Sequence, residues 1–106
     1  FAMGFGEAMM EHIEFDEDGQ LLTGSFMDYA MPRARDVPPL DMHTFETPSP
    51  MNSLGAKGVG EAGTIGAPAA ILNAALDALA PLGVTDLNMP LTPCTLWSAM
   101  QKGNAR

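Results

Sequence analysis

The sequence contains few of the residues on which several classes of site depend. Cys94 is its single cysteine, which excludes an internal disulfide and any zinc or iron–sulfur site built from four cysteines of this chain. Only 5 lysine and arginine residues stand against 13 aspartate and glutamate residues, for a formal net charge of −8. Nucleic-acid binding requires clustered positive charge, so this balance argues against it. An acidic surface is typical of a soluble cytoplasmic protein, and we expect a cytoplasmic location.

Long apolar runs and clustered metal ligands are also scarce. No apolar run approaches the roughly 20 residues that a membrane helix needs, so we predict no membrane span. His12 and His43 lie far apart in sequence, without a nearby cysteine or paired carboxylate. We therefore predict that no residue of this chain ligates a metal.

Glycine and proline, by contrast, are abundant. With 11 glycines and 9 prolines, much of the backbone is expected in loops and turns. A length of 106 residues leaves room for one small domain. The first residue is Phe1 rather than methionine, from which we expect a fragment or a processed product.

Helical spacing of apolar residues is clearest in the segment Ala67–Leu79. Its apolar stripe consists of Ile71, Leu72, Ala75, Leu76 and Leu79. Pro68 suits a first helical turn, and Pro81 and Gly83 predict the end of the helix. Residues 1–13 predict the tail of another amphipathic helix, weakened by glycines. Residues 93–101 predict a short final helix that buries three apolar side chains, Leu96, Trp97 and Met100.

Strands are predicted in three places. The dipeptide Asp18-Gly19 favours a tight turn in which both residues take positive φ, so residues 13–15 and 21–23 are expected to pair as a β-hairpin. Residues 41–47 and 84–88 are expected to form further short strands. Between these elements, prolines make residues 31–39 extended or irregular, and breaker residues make 47–57 a loop. The expected fold class is α+β.

The glycine-rich segment at residues 57–66 carries the densest functional signal. Bare backbone permits close approach, and a helix that follows favours anions at its first turn. A tight loop-to-helix junction with nothing bound explains the pattern equally well. Gly58, Gly60 and Gly63 also match the dinucleotide fingerprint, but that motif requires a buried strand before its first glycine. Residues 47–57 contain two prolines and cannot form that strand, so we reject the dinucleotide interpretation.

Glu61 is the unusual residue of this segment. A carboxylate near a helix start interacts favourably with the helix dipole, by about 0.3–1 kcal/mol, and that alone would justify its presence. The functional alternative is a general base held on a backbone that a cofactor can approach.

Three runs of the sequence resemble one known family. They are GQLLTGSFMDYAMPRARDVP at residues 19–38, TPSPMNSLGAKGVGEAGTIGAPAAILNAALDAL at 47–79, and LNMPLTP with Leu96-Trp97 near the end. They are similar to the last third of the molybdopterin-binding large subunit of the xanthine dehydrogenase, aldehyde oxidase and aerobic carbon monoxide dehydrogenase family. The resemblance implies that residues 1–106 are a C-terminal fragment of the cofactor-binding domain. It implies a partial subdomain with a short β-hairpin, an extended loop region and a main amphipathic helix near 67–79.

The resemblance also implies a reaction. In this family a glutamate of the Gly-Val-Gly-Glu motif removes the proton of a molybdenum-bound hydroxyl as that oxygen attacks an electron-poor carbon. Here the motif is Gly58-Val59-Gly60-Glu61, so Glu61 takes the role of base and is not expected to ligate the metal. The substrate would be an aldehyde, a purine or N-heterocycle, or carbon monoxide. The rival hypothesis is a non-catalytic acidic interaction or scaffold module, which has no need of a glutamate in a glycine loop.

Cofactors and partners follow from the same resemblance. The cofactor is molybdenum-molybdopterin, expected in its cytosine dinucleotide form, with Lys57, Gly58, Val59 and Gly60 offering backbone N–H groups to the pterin. FAD and [2Fe-2S] clusters belong to other segments or subunits. The expected partners are the remainder of the large subunit, the iron–sulfur and flavin subunits, and a small-molecule substrate. The rest of the family's site is absent from this sequence, so the chain alone is expected to be inactive and free of molybdenum.

Overall fold

Helices supply the regular structure of the chain. The computed structural model describes residues 1–104. Within them the helices are α1 (Ala2–Met9), α2 (Ala62–Ile65), α3 (Ala67–Leu79) and α4 (Pro93–Asn104). A 3-10 turn, Ala80–Leu82, continues α3.

The longest helix, α3, forms where its apolar stripe predicts it. Pro68 lies in its first turn, where a missing N–H removes no helical hydrogen bond. The chain leaves the helix through the 3-10 turn and Gly83, whose φ of +76° is a conformation that favours glycine. The prediction for this segment is confirmed, including its end.

The core lies between α3, α4 and the segment that joins them. It consists of Leu79, Val84, Leu87 and Leu91, of which Leu91 is fully buried. The N–H of Leu91 donates to the carbonyl of Ala8 at 2.7 Å, which ties the core to the end of α1.

The predicted helix at residues 1–13 is confirmed as α1, although it ends at Met9.

Helix α4 is longer than predicted and presents one expected side chain differently. It runs to Asn104 rather than to residue 101. Leu96 and Met100 pack against the core as predicted, but Trp97 is 63% exposed. Because Leu96, Ala99 and Met100 share one face at helical spacing, Trp97 falls on the outer face.

The predicted β-hairpin is wrong, and with it the α+β class. Residues 1–104 contain no strand, only an isolated antiparallel bridge between Phe15 and Leu21. Gly19 alone takes positive φ, at +80°, and the Asp16 carboxylate accepts the N–H groups of Asp18 and Gln20. These hydrogen bonds to a side chain take the place of backbone hydrogen bonds between paired strands.

Burial explains why the pairing at the turn stops at one bridge. Ile13 is 61% exposed and Phe15 is 59% exposed, so no apolar face of the ribbon is covered. An isolated two-stranded ribbon is marginal in water without a third strand or a helix packed on it.

The two other predicted strands are also wrong. Residues 41–47 have no regular secondary structure and exchange no backbone hydrogen bonds with the rest of residues 1–104. Residues 84–88 likewise lack a strand partner there, and Val84 and Leu87 both turn into the core despite a spacing of three. Apolar spacing along one segment could not show whether a neighbouring strand was there to pair with it.

Residues Ala62–Leu82 form a 21-residue stretch that is long and apolar enough to cross a membrane. The expectation that no apolar run approaches that length is therefore wrong. One such stretch is weak evidence for a span, because helices packed on the core of soluble proteins pass the same test. The stretch is also not one regular helix, since it breaks at Gly66 and tightens into the 3-10 turn.

Candidate functional site

The Gly-Val-Gly-Glu motif forms an exposed turn at the start of α2. The N–H of Ala62 donates to the carbonyl of Val59 at 3.1 Å, so Gly60 and Glu61 are the central residues of the turn. The carbonyl of Glu61 accepts hydrogen bonds from the N–H and the hydroxyl of Thr64, each at 2.9 Å. The backbone of Glu61 is therefore held, whereas its side chain is exposed and makes no capping hydrogen bond.

Two glycines of the motif face empty space. A Cβ atom built on Gly58 or Gly60 would meet nothing within 4 Å. Neither residue has positive φ, unlike Gly19, Gly55 and Gly83. Within residues 1–104, neither backbone conformation nor packing therefore requires glycine at the two positions. Their bare backbone is available for close approach by a group from outside the chain.

The N–H groups of the motif are also available. In the part of the chain that the structure describes, residues 57–60 donate no backbone hydrogen bond. The side chain of Lys57 instead turns toward the preceding loop, where Nζ donates to Oγ1 of Thr47 at 3.0 Å. Lys57 thus contributes its backbone to the exposed face of the motif, while its ammonium group closes the loop before it.

Helix α1 anchors the motif on its C-terminal side. A Cβ on Gly4 would collide with the carbonyl oxygen of Gly63 and would stand 2.8 Å from Cβ of Ala67. A Cβ on Gly63 would stand 3.2 Å from the backbone nitrogen of Phe1. This close approach explains Gly4, which sequence reasoning regarded only as a weakness of the helix. It places α1 directly against the helix that begins after Glu61.

The loop before the motif contains a residue that sequence reasoning missed. Asn52 donates from Nδ2 to the carbonyl of Ala56 and accepts the N–H of Ala56 on Oδ1, both at 2.9 Å. An asparagine near a glycine is a turn signal in the sequence. Which backbone groups its amide meets is a property of the folded loop.

A tyrosine–glutamate pair lies outside the motif. The hydroxyl of Tyr29 donates to Oε2 of Glu11 at 2.7 Å. This hydrogen bond is the main cause that raises the pKa of Tyr29, with smaller contributions from desolvation and from the negative charges of Glu11 and Glu7. The pair joins the segment after α1 to the loop at residues 25–36.

The chain supplies one side of a site rather than an enclosed pocket. Two open grooves are lined by residues from other parts of the fold, and neither includes a residue of the motif. Among residues 1–104, no group of three or more histidine, cysteine, aspartate or glutamate side chains could hold a metal ion. The motif therefore offers a carboxylate, bare peptide backbone and available N–H groups to a ligand that other chain segments would have to enclose.

Comparison with known proteins identifies relatives of this arrangement. The family described as "Molybdopterin cofactor-binding domain" matches residues 1–38. The chain is 46% identical, over 85% of its length, to the nicotine 6-hydroxylase large subunit of Paenarthrobacter nicotinovorans, and it spans 11% of that relative. It is 38% identical over 95% of its length to the carbon monoxide dehydrogenase large chain of Hydrogenophaga pseudoflava, and it spans 13% of that relative.

A solved structure gives the same result for the fold. Quinoline 2-oxidoreductase from Pseudomonas putida 86 superposes with a TM-score of 0.85 and 40% sequence identity, covering 95% of this chain and 13% of that protein. Because the agreement extends over nearly the whole chain, the family assignment does not rest on any single motif. The chain belongs to the molybdopterin-binding large subunits of the xanthine dehydrogenase, aldehyde oxidoreductase and carbon monoxide dehydrogenase family.

Proposed function

We propose that this chain is the part of a molybdenum-dependent hydroxylase or dehydrogenase that carries its general base, Glu61. The observation that supports the proposal is the exposed carboxylate of Glu61 on a hydrogen-bonded turn, beside bare glycine backbone. Among the described residues, its side chain makes no capping hydrogen bond to the start of α2.

The role of Glu61 is to move a proton. Its carboxylate accepts the proton of the nucleophile that attacks the substrate carbon, and it does not ligate metal. A carboxylate positioned in this way contributes about 10²- to 10⁴-fold to a rate. Hydrogen bonds to the carbonyl of Glu61 hold its backbone at the turn, and the exposed side chain extends from there.

The residues of the motif fit the cofactor of the family. Molybdenum-molybdopterin supplies the two-electron redox chemistry when bound. Gly58 and Gly60 have no described atom within 4 Å of a Cβ position, so their bare backbone allows close approach, and the N–H groups of Lys57, Gly58, Val59 and Gly60 can donate to the polar edge of a ring system. We propose that these four residues contact the pterin and that the pterin carries a cytosine dinucleotide.

The extended shape of the chain supports the proposal that its partner is the remainder of a large subunit. Its radius of gyration is 17.7 Å, whereas a compact domain of similar length has about 13 Å. Its accessible surface is 8411 Å², whereas a compact monomer of this mass exposes about 5,700 Å². We propose that the rest of the large subunit covers much of this excess and encloses the motif.

Other partners and the substrate class are proposed at a coarser level. Curated relatives are named as a large subunit and as a subunit of a dehydrogenase complex, which supports assembly with further subunits. We propose that these carry [2Fe-2S] clusters and FAD. The substrate is a small molecule of the aldehyde, purine, N-heterocycle or carbon monoxide classes, and the relatives named for nicotine and carbon monoxide fall within that range. A cytoplasmic location stays a prediction from the acidic composition.

The test replaces Glu61 with glutamine in the complete enzyme. Glu61→Gln keeps size and shape but removes the basic oxygen, so reduction of the molybdenum centre by substrate should slow by about 10²-fold or more. The measurement is the single-turnover rate normalised to bound molybdenum. The amount of bound molybdenum should stay near the wild-type value. Glu46→Gln is the matched control, because Glu46 is an exposed glutamate of the preceding segment, and its substitution should leave the rate unchanged. A Glu61→Gln rate within about threefold of wild type would contradict the role of base.

A further inference from the structure

The motif is tethered on its N-terminal side by a closed loop at residues 47–57. The N–H of Ser49 donates to the carbonyl of Gly55 at 2.9 Å, and the N–H of Gly55 donates to the carbonyl of Asn52 at 3.1 Å. Gly55 takes a φ of +66° at this closure. The bond from Lys57 to Thr47 joins the two ends of the loop. The loop is therefore held by its own hydrogen bonds, although most of its side chains are exposed.

The side chain of Asn52 makes the hydrogen bonds that hold the backbone just before the motif, at Ala56. Its amide satisfies both polar backbone groups of Ala56, one as donor and one as acceptor. This pairing sets the planes of the two peptide bonds that flank Ala56. The chain then enters Lys57 and Gly58 in a defined direction, and the next hydrogen bond along the backbone is the one that closes the Val59–Ala62 turn.

Between Ala56 and the Val59–Ala62 turn, no hydrogen bond within residues 1–104 restrains the backbone. The N–H groups of residues 57–60 donate no backbone bond among the described residues, and Gly58 and Gly60 have no neighbour within 4 Å of a Cβ position. Glycine backbone has the largest conformational freedom of any residue. The position of Glu61 therefore depends on the tether at Ala56 and on the packing of α2 against α1.

We propose that Asn52 is a positioning residue for Glu61, an inference that rests on the proposed role of Glu61 as base. Asparagine suits the position because its planar amide offers one donor and one acceptor side by side. Aspartate has no donor for the carbonyl of Ala56, and alanine has neither group. Loss of the clamp lets the glycine segment shift, and a displacement of about 1 Å at a reacting group can cost about 10²-fold in rate.

The experiment uses the complete enzyme and two substitutions, Asn52→Ala and Asn52→Asp. We expect Asn52→Ala to slow single-turnover reduction of the molybdenum centre by about 10- to 100-fold when the rate is normalised to bound molybdenum, with KM near wild type. Asn52→Asp keeps the acceptor for the N–H of Ala56 but turns a carboxylate oxygen toward the carbonyl of Ala56, so it should also slow the reaction. If Asn52→Ala does not assemble with cofactor, Asn52→Asp carries the test. Asn73→Asp, on an exposed face of α3, is the control for the added charge and should have the wild-type rate.

A double substitution separates positioning from general damage. If Asn52 acts only through Glu61, Asn52→Ala should cause no further loss when Glu61 is already glutamine. An equal further loss in that background would overturn the proposal, because the loop would then act on something other than the base. A slow Glu61→Gln enzyme with a wild-type rate for Asn52→Ala would overturn this inference alone. A Glu61→Gln enzyme at the wild-type rate would overturn both this inference and the proposed function.

Discussion

Two regions of this chain obtain their structure in different ways. The helical region, made of α1, α3, residues 80–92 and α4, is held by burial around Leu91 and by close helix contact at Gly4. The motif-bearing region, residues 37–61, has no buried residue, and Phe45 in it is 96% exposed. The second region is held instead by local hydrogen bonds, such as those of Asn52.

Because of this difference, we expect one region to determine the stability of the chain and the other to take part in the reaction. Apolar burial is the main source of folding free energy, so the helical region carries what stability the chain has. The motif lies in a region without a buried residue, which leaves its carboxylate and peptide groups available to a ligand. Residues of the helical region should therefore affect folding, and residues of the motif-bearing region should affect the reaction without affecting folding.

The largest expected effect on stability is at Leu91, the fully buried side chain of the core. Leu91→Ala removes buried methyl groups and leaves a cavity, so the free energy of unfolding should fall by about 2–5 kcal/mol. Denaturant unfolding of the chain measures the change. Phe45→Ala is the control from the other region and should change the free energy of unfolding by less than about 0.5 kcal/mol. Similar losses for the two variants would contradict the division into regions.

A pair of glycine substitutions sharpens the comparison. Gly4→Ala should reduce the free energy of unfolding by about 1–3 kcal/mol, because the new Cβ collides with the carbonyl of Gly63. Gly60→Ala should leave it unchanged within about 0.5 kcal/mol, since nothing lies near that position in this chain. In the complete large subunit, Gly60→Ala should instead lower bound molybdenum, measured by metal analysis. Full cofactor content in that variant would mean that the open space at Gly60 is not used.

The smallest expected effect concerns Tyr29, which lies between α1 and the motif-bearing region along the chain. Its pKa is raised above the ordinary 10.0, mainly by the hydrogen bond to Glu11. Because the folded pKa is the higher one, the stabilisation is fully present below the unfolded value and is lost as the pH rises through the folded value. Tyr29 is the single tyrosine, so ultraviolet titration of the phenolate reports it alone. Glu11→Gln should move the midpoint toward 10.0, whereas Glu7→Gln, the smallest cause, should move it less. Equal midpoints for wild type and Glu11→Gln would show that the bond is not maintained in solution.

Local sequence patterns predicted the helices because their signals are local. In α3 the apolar stripe, Pro68 and Gly83 all act within a few residues of the helix they define. The strand predictions at residues 13–15, 21–23, 41–47 and 84–88 failed for the opposite reason. A strand requires a partner, and within residues 1–104 those segments have none beyond the bridge of Phe15 and Leu21.

By itself the sequence determined the helix α3, the loop before the motif, the acidic balance and the family resemblance that singles out Glu61. Only the tertiary structure decided which glycines are packed and which are open, since Gly4 and Gly60 are the same residue in different surroundings. It also decided that Asn52 clamps Ala56 and that Lys57 turns to Thr47. The physical reason is that propensity and periodicity act along the chain, whereas close approach and hydrogen-bond pairing depend on where the folded backbone brings groups together.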